Sequence, residues 1–277
     1  MSAKRPRTPD LVIPTSRLPR GFAEAVDSPP AVPAPAVPAA TAVLLRDSAG
    51  GAEVLLLCRR RDSGFVPGAY VFPGGRMDPA DSDPVVRART DGVAAESATP
   101  EISSWVAAAR EVFEETGVLL ARSRSGDPVP DAVTDFDVAR WRDELLENRA
   151  TLAGVLQALD ARLDLRTMVY CAHWITPVAE RRRYDTRFFL AVLPSGRTVS
   201  PDPREMTDAL WITPADALTR FAEGALPMVF PTVKTLESIA GFTTVAETLQ
   251  GFRGRAIEPI MPRLVRSAEG VSIVIDG

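Results

Sequence analysis

The stretch Arg110-Glu111-Val112-Phe113-Glu114-Glu115-Thr116-Gly117-Val118 constrains this chain more than any other. It sets three carboxylates within five positions and stops on a glycine. Trp105, Val106, Ala108, Ala109, Val112 and Phe113 give the apolar side of a helix from about Ile102 to Thr116, and Gly117 is a natural C-cap. Residues three and four apart share a helical face, so Glu111, Glu114 and Glu115 point the same way. Like charges so placed cost roughly 0.2–0.5 kcal/mol per pair even when solvated, and more in a cleft. A divalent cation removes that cost. Carboxylate oxygens suit Mg²⁺ and Mn²⁺, and Mg²⁺ sites combine a few carboxylates with substrate phosphates. The same string on a solvated surface helix would carry no chemistry, because Glu is a good helix former.

A second feature lies upstream. Phe72-Pro73-Gly74-Gly75 places two glycines after a short strand, where the backbone can turn sharply and approach a helix and phosphates closely. Taken with Arg-Glu-apolar-any-Glu-Glu-any-Gly-apolar, it resembles the signature of the Nudix hydrolases. The match departs from the usual pattern. A glutamate is expected about six residues after Gly75, with the Arg-Glu pair soon after. Here thirty-four residues separate Gly75 from Arg110, and the position eight before Arg110 is Ile102, with Glu101 one place off register. The expected glutamate is thus read as missing, and Arg76 to Glu101 as an inserted loop. One branch of the superfamily, containing a coenzyme A diphosphatase, has the same split signature. Gly64 to Gly75, Met77 to Asp81, His173 to Pro177 and Arg183 to Phe189 look like it, over about Ala42 to Leu236.

That resemblance implies an α+β fold, a Nudix-type α/β/α sandwich with a mixed sheet plus a helical insertion. It implies that Glu111, Glu114 and Glu115 bind Mg²⁺ or Mn²⁺ and that Arg110 orients a glutamate. Gly74, Gly75 and Gly117 are the structural positions of the motif. The general base is Glu111 or Glu205, which precedes the strand containing Trp211. Arg183 is the first candidate for substrate binding, by its place in the branch, with Arg60 second among Arg59–Arg61. Arg181 and Arg182 are equally well read as a solvated cluster. His173, the lone histidine, sits in an apolar run beside Trp174 and reads as a hydrogen-bonded structural residue. The implied substrate is a small nucleoside diphosphate derivative, with coenzyme A or an acyl-CoA first. ADP-ribose, a dinucleotide or a modified nucleotide is the alternative, and a non-catalytic nucleotide sensor is the rival from another class. The complete glutamate set speaks against the sensor.

The remaining residues bound the setting. A net charge of −4 gives no polycationic surface, so nucleic acid is not an expected partner. No apolar run reaches membrane-spanning length, so no membrane partner is expected. Cys58 and Cys171, each in a strand-like run, read as buried free thiols of a reducing compartment. Lysine occurs only at Lys4 and Lys234, against many arginines, which with the Ala and Pro content suggests a GC-rich bacterial source; with the cysteine usage, a cytoplasmic location is expected. The resemblance admits a homodimer without selecting one.

Nine prolines between Pro6 and Pro38 predict a flexible or extended Pro/Ala-rich arm over 1–38. One domain is expected over 39–277, with inserts at about 76–101 and 121–166. Strands are expected at 41–46, 53–58, 70–72, 167–174, 187–193 and 209–212, with a closing strand at 271–275. Residues 135–163 read as helical, as do 232–250 with a break at Gly241.

Overall fold

A computed structural model describes residues 12–15, 18, 21–62, 66–92 and 101–275. In chain order it gives β1 (Val12–Pro14), α1 (Phe22–Asp27), β2 (Ala36–Ser48), β3 (Gly51–Arg59), β4 (Tyr70–Val71) and β5 (Gly74–Arg76). Next come α2 (Pro84–Ala88), β6 (Thr90–Asp91), α3 (Ile102–Thr116), β7 (Ala121–Ser123), α4 (Phe136–Leu146), α5 (Leu152–Ala158) and β8 (Ala161–Asp164). The last part holds β9 (Met168–Ile175), β10 (Arg183–Val192), β11 (Met206–Ile212), α6 (Pro214–Ala222), α7 (Phe230–Ile239), α8 (Val245–Phe252), β12 (Arg263–Arg266) and β13 (Gly270–Val274).

The central sheet runs β11-β3-β2-β10-β9, with β4 on β3 and β5 on β2. It is mixed: β10 runs parallel to β2 from Ala36 to Leu45, and the other pairings are antiparallel. Side chains alternate between the two faces of a strand. Ala40, Ala42 and Leu44 of β2 therefore join Leu55, Leu57 and Phe189 against Val106, Ala109, Val112 and Phe113 of α3. Val43 and Leu45 join Leu56 and Leu190 against α6, α7 and α8, through Leu218, Leu236 and Leu249. The result is the expected α/β/α sandwich with a mixed sheet. Among the described residues, no helix is long and apolar enough to cross a membrane.

The expected arm is only partly an arm. Residues 1–11 lie outside the described residues. Val12–Pro14 pairs antiparallel with β13, Phe22 is buried, and Asp27 holds Arg266 at 2.6 Å. Proline excludes a helix interior but is tolerated on an edge strand, and β1 is an edge. The strand expected at 271–275 thus closes this small sheet and not the central one.

The first insert is not a plain loop, although residues 93–100 lie outside the description. Each Asp-Pro pair starts a helical turn. The Asp78 carboxylate accepts from Ala80 N at 2.7 Å, and the Asp83 carboxylate from Val85 N at 2.7 Å. Proline fits the first helical position, where no N–H is needed. β6 then pairs with β8, so the first insert folds onto the second. Of residues 135–163, 161–163 belong to strand β8, and the helical part is two helices, α4 and α5. They part at Asn148, whose φ is 56°, and Thr151 caps the next helix through Gly154 N at 3.3 Å.

Candidate functional site

The site forms where the last turns of α3 meet β5. Gly117 takes the left-handed conformation, φ 73°, and its N–H donates to Phe113 O at 2.9 Å, which ends the helix directly after the glutamates. Pairing of Thr41 with Gly74 and Ala40 with Gly75 lays β5 across the same turns. At Gly75 an added Cβ would stand 2.6 Å from Oε1 of Glu111. Glycine is thus needed here for close approach. The Gly74 N–H donates to Oε2 of Glu115 at 3.2 Å.

Arg110 organises the carboxylates. Its Nη1 donates to Oε1 of Glu111 at 2.8 Å and to both oxygens of Glu114 at 3.1 and 3.0 Å. Its Nε and Nη2 grip Asp81 at 2.8 and 3.1 Å, and Nη2 also reaches the Arg76 carbonyl at 2.8 Å. Such bidentate, charge-assisted pairing fixes direction as well as energy. Asp81 is 2% exposed and stands six residues after Gly75. It occupies the position at which the signature has a glutamate. The register from Arg110 does not reach it, because the insert falls after Asp81 and not before it; the register from Gly75 does.

Burial dominates the electrostatics. It pushes Glu111 up to about 8, against the pull of Arg110. It also raises Glu114, again with Arg110 opposing. Glu115 is raised well above the carboxylate range by burial, then by Glu111 and Glu205, with Arg59 and the Gly74 N–H opposing. For Arg110 burial works downward, but Asp81, Glu111 and Glu114 outweigh it and hold the guanidinium above its ordinary range. Arg110 thus serves Glu111, Glu114 and Asp81, and Glu115 has Arg59 and the Gly74 N–H, which leaves a desolvated excess of negative charge. Hard oxygen donors with that excess fit a divalent cation. Among the described residues, no three His, Cys, Asp or Glu side chains are already gathered into a metal-ligand geometry; Arg110 holds Glu111 and Glu114.

Glu205 joins the site. It lies at the end of the loop before β11, is exposed, and its charge acts on both Glu114 and Glu115. Arg60 supports that loop: its backbone N–H donates to Glu205 O at 3.0 Å and its Nη1 to Pro203 O at 3.2 Å, while Asp62 takes Nε and the other Nη. Arg183 does not converge on the glutamates. Its guanidinium ties three segments together, donating to Thr176 O at 3.0 Å, Ala34 O at 2.8 Å and Met261 Sδ at 3.5 Å. It pairs with Ala36, four residues along β2 from the Ala40 that meets Gly75. Its branch-specific pattern therefore reads as a clamp at the start of β10. His173 bonds Asp185 through Nε2, with Arg187 3.4 Å from the same carboxylate, as expected of a structural histidine. Cys171 is a buried thiol pushed upward by burial, whereas Cys58 is only half-buried. Gly64 and Phe65 lie outside the described residues.

Comparison with known proteins bears on this geometry. The family model for the NUDT19 Nudix domain matches residues 82–239. The acyl-coenzyme A diphosphatase NUDT19 of Homo sapiens is 28% identical over 270 residues, covering 83% of this chain and 72% of that protein. The Xenopus laevis protein of the same name is 27% identical over 266 residues, covering 81% and 70%. Among solved structures, a NUDIX hydrolase from Alicyclobacillus acidocaldarius superposes with a TM-score of 0.63 at 30% identity, over 77% of this chain and 96% of that one.

Proposed function

Because this chain belongs to the Nudix hydrolases, in the branch of the NUDT19 Nudix domain, we propose that it cleaves the diphosphate of coenzyme A or an acyl-CoA ester with Mg²⁺ or Mn²⁺. It is a Nudix diphosphatase. The observation that carries the reading is the set of desolvated glutamates, Glu111, Glu114 and Glu115, held between Arg110 and the Gly74–Gly75 backbone. The substrate class is supported by likeness to two acyl-coenzyme A diphosphatases over most of both chains.

Divalent cations offset phosphoryl charge, orient the oxygens and lower the pKa of an attacking water. Glu111, Glu114 and Glu115 would hold them. The protein supplies the rest. Asp81 and Arg110 keep Glu111 and Glu114 in place, and the Gly74 N–H aims Glu115. Bound carboxylates must be ionised, so metal uptake releases the protons that burial favours on Glu111 and its neighbours. Glu205 is exposed, so water reaches its carboxylate, whereas Glu111 is packed on Gly75 and held by Arg110. We assign proton abstraction from water to Glu205 and metal holding to Glu111. Glu205→Gln then lowers kcat with Mn²⁺ affinity intact, and Glu111→Gln lowers both. We further place the protein in a bacterial cytoplasm.

The test of substrate is direct. With Mn²⁺, purified protein and CoA should give adenosine 3′,5′-bisphosphate and 4′-phosphopantetheine. A far higher kcat/KM on ADP-ribose or a dinucleoside polyphosphate overturns the CoA reading.

A further inference from the structure

α4 carries none of the acidic residues of the site, yet one of its side chains completes the helix that does. The last four carbonyls of a helix have no partner within it. In α3 the Phe113 carbonyl takes the Gly117 N–H, Glu115 takes Asp202 N at 3.0 Å, and Thr116 takes Ser200 N at 2.8 Å. The Glu114 carbonyl takes Arg142, from Nε at 3.0 Å and from Nη2 at 2.8 Å. The same Nη2 donates to the Ser200 carbonyl at 2.8 Å. Arg142 is 8% exposed. A cation here also complements the negative end of the helix.

The contact joins the two segments that hold the carboxylates. Glu114 and Glu115 are on the last turn of α3, and Ser200 lies in the loop between β10 and β11 that ends at Glu205. Three further contacts run from the insert into the same region. Asp131, fully buried, accepts Thr198 N at 2.9 Å; Arg197 donates to Pro128 O at 2.8 Å; and Asp143 lies 3.6 Å from Arg204. The insert braces the helix of the glutamates against the loop of Glu205.

We propose that Arg142 is a positioning residue for diphosphate hydrolysis, fixing Glu114 and Glu115 relative to Glu205 so that the carboxylates keep one geometry toward a divalent cation. The proposal rests on the metal-dependent reading above. Lysine at this position keeps the charge but not the planar fork that spans two carbonyls. Arg142→Met removes both.

In the Arg142→Lys variant the dissociation constant for Mn²⁺, read by EPR on metal-free protein, should rise about 10-fold, and kcat should fall about 10-fold with KM within about 2-fold. Arg142→Met should lose more, so lysine is a partial rescue. A purely structural role predicts a lower Tm with unchanged Mn²⁺ affinity and kcat in folded Arg142→Lys, and that result overturns the inference whether or not Arg142→Met folds. Wild-type protein that neither binds Mn²⁺ nor hydrolyses a diphosphate would overturn the proposed function first, and this inference with it.

Discussion

Gly74 and Gly75 are adjacent, yet an added methyl group at each should do different harm. At Gly75 the new Cβ would stand 2.6 Å from Oε1 of Glu111 and 2.7 Å from its Cδ and Oε2. These atoms end a flexible side chain, so they can yield. To reach ordinary contact the carboxylate must retreat by about 0.8 Å, and a misplacement of about 1 Å near reacting groups is worth about 100-fold in rate. That is about 2.7 kcal/mol of transition-state stabilisation at about 1.36 kcal/mol per tenfold. At Gly74 the new Cβ would meet Thr41 Oγ1 at 2.5 Å, the Ala40 carbonyl at 2.7 Å and Thr41 Cα at 2.9 Å. Backbone cannot swing aside, so the β2–β5 pairing must open, at about 1–3 kcal/mol of stability by the usual cost of overpacking. Thermal unfolding and steady-state turnover on the best substrate, at saturating Mn²⁺, separate the two. Gly75→Ala should keep its Tm within a few degrees and lose about 100-fold in kcat. Gly74→Ala should lose Tm as well. A Gly75→Ala variant with wild-type kcat refutes the claim that this close approach sets the Glu111 carboxylate.

Asp81→Ala strips the buried Arg110 of its bidentate partner, while Glu111, Glu114 and the Arg76 carbonyl remain, and should cost about 1–3 kcal/mol in chemical denaturation, with turnover reduced; a loss under about 0.5 kcal/mol contradicts the role given to Asp81. Burial raises Glu111 above its unfolded value, so the folded protein binds that proton more tightly. The stability it contributes is present below the ordinary carboxylate range and is lost as pH rises through about 8. Metal-free protein should therefore lose Tm between about pH 5 and pH 8, less so in Glu111→Gln, and added Mn²⁺ should raise Tm more at the upper end. A metal-free Tm that climbs across that window contradicts it. Removing residues 1 to 35 deletes β1 and the buried Phe22, so it should lower Tm measurably; an unchanged melting curve would show that the small terminal sheet adds nothing.

Local patterns carried much of this molecule. The apolar period of α3 and the glycine after it predicted Ile102–Thr116 and its cap, because propensity, amphipathicity and capping agree there. The break between α7 and α8, and the strands flanking Asp47–Gly51, follow from the same kind of signal. Glu111, Glu114 and Glu115 were legible for that reason. What was not legible depends on contacts distant in sequence. Asp81 and Arg110 are bonded across twenty-nine positions, and Arg142 meets Ser200 across fifty-eight. Neither side chain carries a local mark of its partner. The partners of Arg183, two carbonyls and a thioether, are likewise unmarked in its local sequence. The proline-rich start misled because proline excludes helix interiors but not edge strands.

The central claim is that the acidic end of α3 binds a divalent cation that turnover requires. Titration of metal-free protein with Mn²⁺, followed by EPR of the free ion beside a Glu114→Gln sample, tests it most directly. The expected result is at least one bound Mn²⁺ in wild type, weakened by about 10-fold or more in Glu114→Gln, whose Tm stays close to wild type. Equal Mn²⁺ binding by the two proteins, or none by wild type, contradicts it.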